Sequence, residues 1–136
     1  MVMFPWEKLL THHRNPPDMP IFRNEKVQKE YDEFKKFIVE NNIDINEYIY
    51  KKFLGELKMN FIENTFPYDV EDNCKHFVIW FDTKYYANLK LKEDEEIIID
   101  KIVRNKFKDN QYVYFENISN NKSVPDIKHF HVFIKN

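Results

Sequence analysis

The chain of 136 residues contains one glycine and one cysteine. A single glycine rules out a glycine-rich phosphate loop and a dinucleotide-binding fingerprint, since both need several glycines where the backbone approaches phosphate. Cys74 has no second cysteine with which to form an internal disulfide or a Cys-x-x-Cys pair, and this favours a reducing compartment. The Gly-x-Ser-x-Gly and His-Glu-x-x-His signatures of common hydrolases are also absent.

Long apolar runs and a strong net charge are missing as well. No apolar stretch reaches the roughly 18–20 residues that a bilayer requires. The first residues lack the basic region and the longer apolar segment of a secretory signal. The net charge is −2, so no overall field attracts nucleic acid or anionic membranes. We therefore expect a soluble, intracellular, cytoplasmic protein with no membrane partner.

What the sequence has is aromatic side chains, which make up 17% of its residues. Together with a hydrophobic content of 43%, they are sufficient for a packed core. The length predicts a single domain over residues 1–136.

The hydrophobic periodicity changes along the chain. Residues 5–13, 25–41 and 45–54 have helical spacing or helix caps, and the proline-rich segment 15–20 must interrupt them. Alternation predicts a strand over 57–62, and apolar or aromatic runs predict strands over 76–81, 111–116 and 127–134. Residues 93–106 are acidic first and basic last, as in a helix, although three consecutive isoleucines would also suit a strand. This order predicts an α+β fold in which N-terminal helices pack on a mostly antiparallel sheet with one helical insertion.

Histidines mark the most informative part of the chain. His129 and His131 are two residues apart on the last predicted strand, so both rings lie on one face. His76 begins the central strand and shares a face with Val78 and Trp80. If these two strands pair, the three histidines converge on one candidate site.

The chain resembles an uncharacterised family of fungal and large-DNA-virus proteins, whose fungal members are often called N-acetylglucosamine-induced protein. Three blocks carry the resemblance: Phe22-Arg23 with Tyr31 and Tyr48-Ile49; residues 64–68 with 76–80; and residues 115–117 with 123–125 and 129–133. The chain departs from the family at residues 116–118, where an aromatic or Val-Asn-Pro segment is usual, and at Lys128, where tryptophan is common. The resemblance implies a shared fold and, if the protein is viral, a place in the host cytoplasm. It implies no established activity.

Three interpretations of the histidines remain open. In the first, they bind an anion together with Arg23, whose planar guanidinium suits phosphate or carboxylate. In the second, the three histidines hold a divalent metal, although no fourth ligand is evident. In the third, they are structural and satisfied by backbone groups.

We take anion binding as the leading hypothesis. It describes a small binding protein whose pocket takes a phosphate-bearing ligand such as a nucleotide, an RNA cap-like end or a nucleotide sugar. One alternative is a hydrolase or metal-dependent enzyme that uses the same histidines, and another is a non-catalytic subunit of a protein complex. The charged residues expected to neutralise the anion are Arg23, His129 and His131. The residues expected to orient the ligand or complete the site are Tyr68, His76, Trp80, Asn117 and Ser123.

Overall fold

The computed structural model describes residues 3–88, 91–118 and 126–136. Its helices are α1 (Trp6–Thr11), α2 (Glu25–Glu40), α3 (Ile45–Ile49), α4 (Thr83–Asn88) and α5 (Leu91–Lys106), and a π-helical segment (Tyr50–Leu54) follows α3 directly. Its strands are β1 (Met59–Glu63), β2 (Cys74–Phe81), β3 (Gln111–Phe115) and β4 (His129–Lys135). None of the helices in these ranges has both the length and the apolar composition needed to cross a bilayer.

The four strands form one sheet in the order β1-β2-β4-β3, and every neighbouring pair is antiparallel. The predicted α+β fold is therefore confirmed, with helices preceding the sheet and a helical insertion between β2 and β3. That insertion consists of two helices, because α4 precedes α5. The Asp82 carboxylate caps α4 by accepting hydrogen bonds from the backbone N–H groups of Lys84 and Tyr85, at 3.0 and 3.1 Å.

Side-chain caps also fix the starts of α2 and α3. The Asn24 side chain accepts a 2.9 Å bond from Val27 N–H at the start of α2, and Asp44 caps α3. Residues 45–54, predicted as one helix, divide into α3 and the wider π-helical segment. The Gly55 N–H donates to Tyr50 O at 2.7 Å, five residues back, and the positive φ of 57° at Gly55 then turns the chain out of the helix.

The two faces of the sheet pack against different helices. On one face, Phe77, Ile79 and Val132 belong to an apolar cluster that includes Ile99 and Val103 of α5. On the other face, α1 packs near β3, while α3 and the π-helical segment pack near β1 and β2. Coverage on both sides explains the nearly continuous apolar sequence of β2.

Candidate functional site

Strand pairing brings the three histidines together. In the register of β2 with β4, Val78 lies opposite His131 and Trp80 lies opposite His129. All of these side chains are on the sheet face away from α5, as the alternation predicted. His76, His129 and His131 are buried, with exposed fractions of 1%, 5% and 6%.

His76 has a fixed proton arrangement. The backbone N–H of Tyr68 donates to His76 Nδ1 at 3.1 Å, so that nitrogen must carry a lone pair. The proton of neutral His76 is therefore on Nε2, which lies 2.8 Å from His131 Nδ1. The Asn64 amide nitrogen is 3.4 Å from the same Nε2, too far to compete. His76 thus donates to His131.

The assignment continues into Asn117. Because His131 accepts at Nδ1, its own proton in the neutral form is on Nε2, which needs an acceptor. The Asn117 side-chain Nδ2 lies 3.1 Å from both this Nε2 and the Tyr68 hydroxyl. In the structure this Nδ2 donates to the Tyr68 hydroxyl, and His131 N–H requires the amide to make a half turn, which exchanges its nitrogen and oxygen and lets the oxygen accept. The chain of donors runs from Tyr68 N–H through both histidines to Asn117.

Burial keeps this chain neutral. Desolvation, reinforced by the positive charge of Arg23, holds the pKa of His76 well below its ordinary value of 6.5. The pKa of His131 is also well below 6.5, again chiefly because of burial, with smaller contributions from His76, His129 and Arg23. Burial raises the pKa of the Tyr68 hydroxyl. This changes the expected role of His131, which contributes hydrogen bonds instead of a positive charge.

His129 differs from the other two histidines in its hydrogen bonding. Its Nδ1–H donates to the Ile127 backbone oxygen at 2.7 Å, which leaves the lone pair on Nε2 when the ring is neutral. That bond persists whether or not Nε2 is protonated. The ring packs on Trp80 with centroids 4.6 Å apart.

A cavity of about 510 Å³ opens beside this face of the sheet. The sequence-predicted residues that line it are Arg23, Tyr68, Trp80, Asn117, His129 and His131. His76 lies behind the lining and acts through His131, since its nitrogens are engaged by the protein. The predicted contribution of Ser123 lies outside the described residues.

Arg23 is the half-buried cation of this cavity. Its Nε–H donates to Phe66 O at 2.8 Å, and its guanidinium carbon is 4.0 Å from the centroid of the Tyr31 ring. Within residues 3–88, 91–118 and 126–136, it has no carboxylate at ion-pair distance. Its charge is therefore not neutralised by an acidic residue in that part of the chain.

Sequence reasoning missed the contribution of the helical layer to the cavity. Tyr31 and Phe34 of α2 and Lys52 of the π-helical segment line the cavity, although none of the three is among the predicted site residues. The available signal was the aromatic spacing along α2 combined with the nearby lysines. Phe66 lines the same wall, with its ring centroid 5.3 Å from that of Tyr31 and 5.4 Å from that of Phe34.

The described residues contain no group of three or more His, Cys, Asp and Glu side chains arranged to hold a metal ion. The histidine geometry explains part of this result. A 2.8 Å separation between His76 and His131 nitrogens is a hydrogen-bond distance, and His76 Nδ1 already accepts from Tyr68.

The site thus combines a helix-covered antiparallel sheet with a neutral, buried histidine chain and a cationic cavity. The chain belongs to the family of proteins of unknown function DUF3605, whose model matches residues 6–135. This confirms that the chain belongs to an uncharacterised family, as the sequence blocks predicted. The crystal structure of HTC1 is similar in fold, with a TM-score of 0.67 and 19% identity over 98% of this chain and 85% of that one. Comparison with curated proteins finds no match.

Proposed function

We propose that this protein binds a phosphate-bearing small molecule in the 510 Å³ cavity. The observation that carries the proposal is Arg23, a half-buried cation with no carboxylate partner in the described parts of the chain. Phe66 O fixes the guanidinium at Nε, and no other hydrogen bond of Arg23 occurs among the described residues, so its terminal N–H groups suit a planar, bidentate contact with an oxyanion.

The remaining lining favours a ligand with a flat body. Trp80 and Tyr68 supply aromatic surface, and Asn117 and His131 supply polar groups in a mostly apolar enclosure. A nucleotide, an RNA cap-like end or a nucleotide sugar combines a flat or ring-shaped body with phosphate. The lone thiol of Cys74 supports an intracellular location for this function. Membership of a fungal or viral branch of the family stays a prediction from the sequence blocks.

The test is calorimetric titration of the intact chain with a matched pair of ligands, adenosine and adenosine 5′-monophosphate, followed by a cap analogue and a nucleotide sugar. We expect a phosphate-bearing ligand to bind and Arg23→Gln to weaken it about tenfold or more, because a charge-assisted hydrogen bond contributes about 1.5–3 kcal/mol. Arg14→Gln is the matched control, since Arg14 is paired with Glu96 outside the cavity. Failure of every phosphate-bearing ligand to bind would overturn the proposal.

A hydrolase is the second candidate, and its support is His129. His129 lines the cavity, and the bond from its Nδ1–H to Ile127 O holds the ring in one orientation, as a positioned general base requires. His131 cannot take this role, because its Nδ1 accepts from His76 and its Nε2 carries the proton. Turnover of a phosphoester that is abolished by His129→Gln, in a folded variant that still binds the product, would favour this candidate.

A non-catalytic subunit is the third candidate, and its support is the apolar surface before α2. Met19 and Phe22 are 73% and 70% exposed. Such a subunit would recruit its partner through these side chains, and the partner would bind equally well after His131→Gln. Loss of partner binding on Phe22→Ser would favour this candidate.

A further inference from the structure

Aromatic rings surround the cavity in two arcs. The first arc belongs to helices α2 and α3 and to the loop between β1 and β2. Tyr31 packs on Phe66 at 5.3 Å between ring centroids, Phe66 on Phe34 at 5.4 Å, and Phe34 on Tyr48 at 5.3 Å. All four rings line the cavity. They form a continuous wall from the middle of α2 to α3.

The second arc runs along the sheet. Phe53 stacks parallel to Trp80 at 5.8 Å, and Trp80 contacts His129 at 4.6 Å. His129 lies 5.6 Å from His131, which in turn lies 5.4 Å from Tyr68. These five rings also line the cavity. The second arc therefore forms the opposing wall.

One gap between the arcs is closed by Arg23. Its guanidinium carbon lies 4.0 Å from the Tyr31 centroid, in the first arc, and 5.0 Å from the Tyr68 centroid, in the second. These are cation–π distances.

The other gap is closed by Lys52. Its Nζ is 5.4 Å from the Tyr48 centroid, in the first arc, and 5.6 Å from the Phe53 centroid, in the second. It donates to the Tyr48 hydroxyl at 3.2 Å and, like Arg23, has no carboxylate at ion-pair distance in the described ranges. The result is a closed belt of nine rings and two cations, and we call it the aromatic belt.

The positions of the two cations in the aromatic belt define the ligand more closely. Arg23 and Lys52 are separated by four rings along one arc and by five along the other, so they lie at opposite ends of the enclosure. A third cation, Lys35, also lines the cavity, but it pairs with Asp32 at 3.4 Å. A single compact anion at Arg23 therefore leaves Lys52 without a counter-charge. A ligand with a flat body and an anionic group at each end satisfies both cations and covers the rings between them.

We infer that the cavity selects a ligand with two separate anionic groups on one flat body, such as a nucleoside 3′,5′-bisphosphate. This inference rests on the proposed function, in which Arg23 binds the first phosphate. It adds that Lys52 binds a second phosphate, attached elsewhere on the same molecule. The distribution of negative charge, more than its amount, then determines affinity.

Three adenine nucleotides test this inference by calorimetry on the intact chain. Adenosine 5′-monophosphate has one phosphate, ATP has more charge at one end, and adenosine 3′,5′-bisphosphate has charge at two places. We expect the bisphosphate to bind about tenfold more tightly than either of the others, because one additional charge-assisted contact is worth at least that factor. Tighter binding of ATP than of the bisphosphate would overturn the inference.

Two lysine variants separate the second contact from general electrostatics. Lys52→Gln should reduce bisphosphate affinity about tenfold and change monophosphate affinity less than about twofold. Lys51→Gln is the matched control, since Lys51 is paired with Glu47 at 2.7 Å and does not line the cavity. Equal losses in the two variants would overturn the inference.

The remaining outcomes distinguish failure of the two-ended ligand from failure of phosphate binding at Arg23. Equal affinity for the monophosphate and the bisphosphate overturns the two-ended ligand and leaves phosphate binding at Arg23 in place. No binding of any of the three nucleotides, of a cap analogue or of a nucleotide sugar overturns both. Tighter binding of the dinucleotide pApA than of the bisphosphate supports the two-ended site and identifies a nucleic acid strand as the source of its ligand.

Discussion

The two faces of the sheet differ although the same strands build both. Towards α5, Ile79, Phe130 and Val132 pack among other apolar side chains. Towards α2 and α3, the alternate positions hold His129 and His131 and open onto a cavity. Alternation thus lets one set of backbone hydrogen bonds support a purely apolar layer and a polar site, so substitutions on the two faces should have different consequences.

The largest effect should come from the apolar face. Phe130 is 1% exposed, and its ring packs edge-on against Phe81 and Tyr114. Phe130→Ala removes a large buried ring and should lower the free energy of unfolding by about 3–5 kcal/mol. Urea unfolding measures this loss. If Phe130→Ala destabilised the protein less than His76→Phe, a substitution on the polar face described next, the apolar face would not be the main source of stability.

A smaller loss should follow from interrupting the donor chain on the polar face. His76→Phe retains a flat ring but leaves the buried Tyr68 N–H and His131 Nδ1 without their partner. We expect the free energy of unfolding to fall by about 2–3 kcal/mol, since unsatisfied buried polar groups are costly. The same urea experiment checks it, and an unchanged midpoint would contradict the hydrogen-bond assignment.

The pH dependence of stability sharpens the comparison further, because only the polar face contains neutral buried histidines. His76 and His131 have folded pKa values well below 6.5, so below about pH 6.5 the unfolded chain binds protons that the folded chain does not. Their stabilisation is complete above that pH and is lost as the pH falls through it towards their folded pKa values. Lowering the pH from 7.5 to 6.0 should therefore reduce the free energy of unfolding by about 1.5 kcal/mol through these two histidines together.

The imidazole nitrogens report the same protonation state directly. Nitrogen-detected NMR at pH 6 should show both rings neutral with the proton on Nε2, and His76→Phe should remove about half of the pH dependence. His12→Gln is the control, since His12 lies outside the cavity lining. An imidazolium signal from His131 at pH 6 would contradict the neutral chain.

The smallest effect should come from a surface ion pair that belongs to neither face. Arg14 Nη1 lies 2.9 Å from Glu96 Oε2, and their side chains are 46% and 58% exposed. Glu96→Gln should change the free energy of unfolding by less than about 0.5 kcal/mol, because solvent and salt screen the pair. Thermal unfolding at low and high salt measures the contribution of this ion pair. A larger change would show that the pair at the start of α5 stabilises the fold more than its exposure indicates.

The sequence was sufficient for the layout of the fold and for the shared face of the histidines. Periodicity predicted α2 and β4 closely because each has one strongly apolar side. It missed the short helix α4, which begins directly after β2 and is capped by the Asp82 carboxylate. The three isoleucines that suited either element are helical, because one side of α5 packs on the sheet through Ile99 and Val103.

Much of the site depended on contacts between distant segments. Nothing in the sequence indicates that Tyr68 N–H donates to His76, and this one bond determines the proton positions of His76 and His131. The sequence also treats Lys51 and Lys52 alike. In the π-helical segment Lys51 pairs with Glu47, whereas Lys52 reaches the cavity, a distinction that depends on local helix geometry.

The stacking of Trp80 between Phe53 and His129 has an optical consequence. The chain has two indoles, and the other, Trp6, is buried at the start of α1 in a separate cluster. Trp6→Phe would leave a fluorophore that is part of the cavity wall. Its emission and quenching would then follow occupancy in real time, without a label, and would make the kinetics of ligand entry and release accessible by stopped flow.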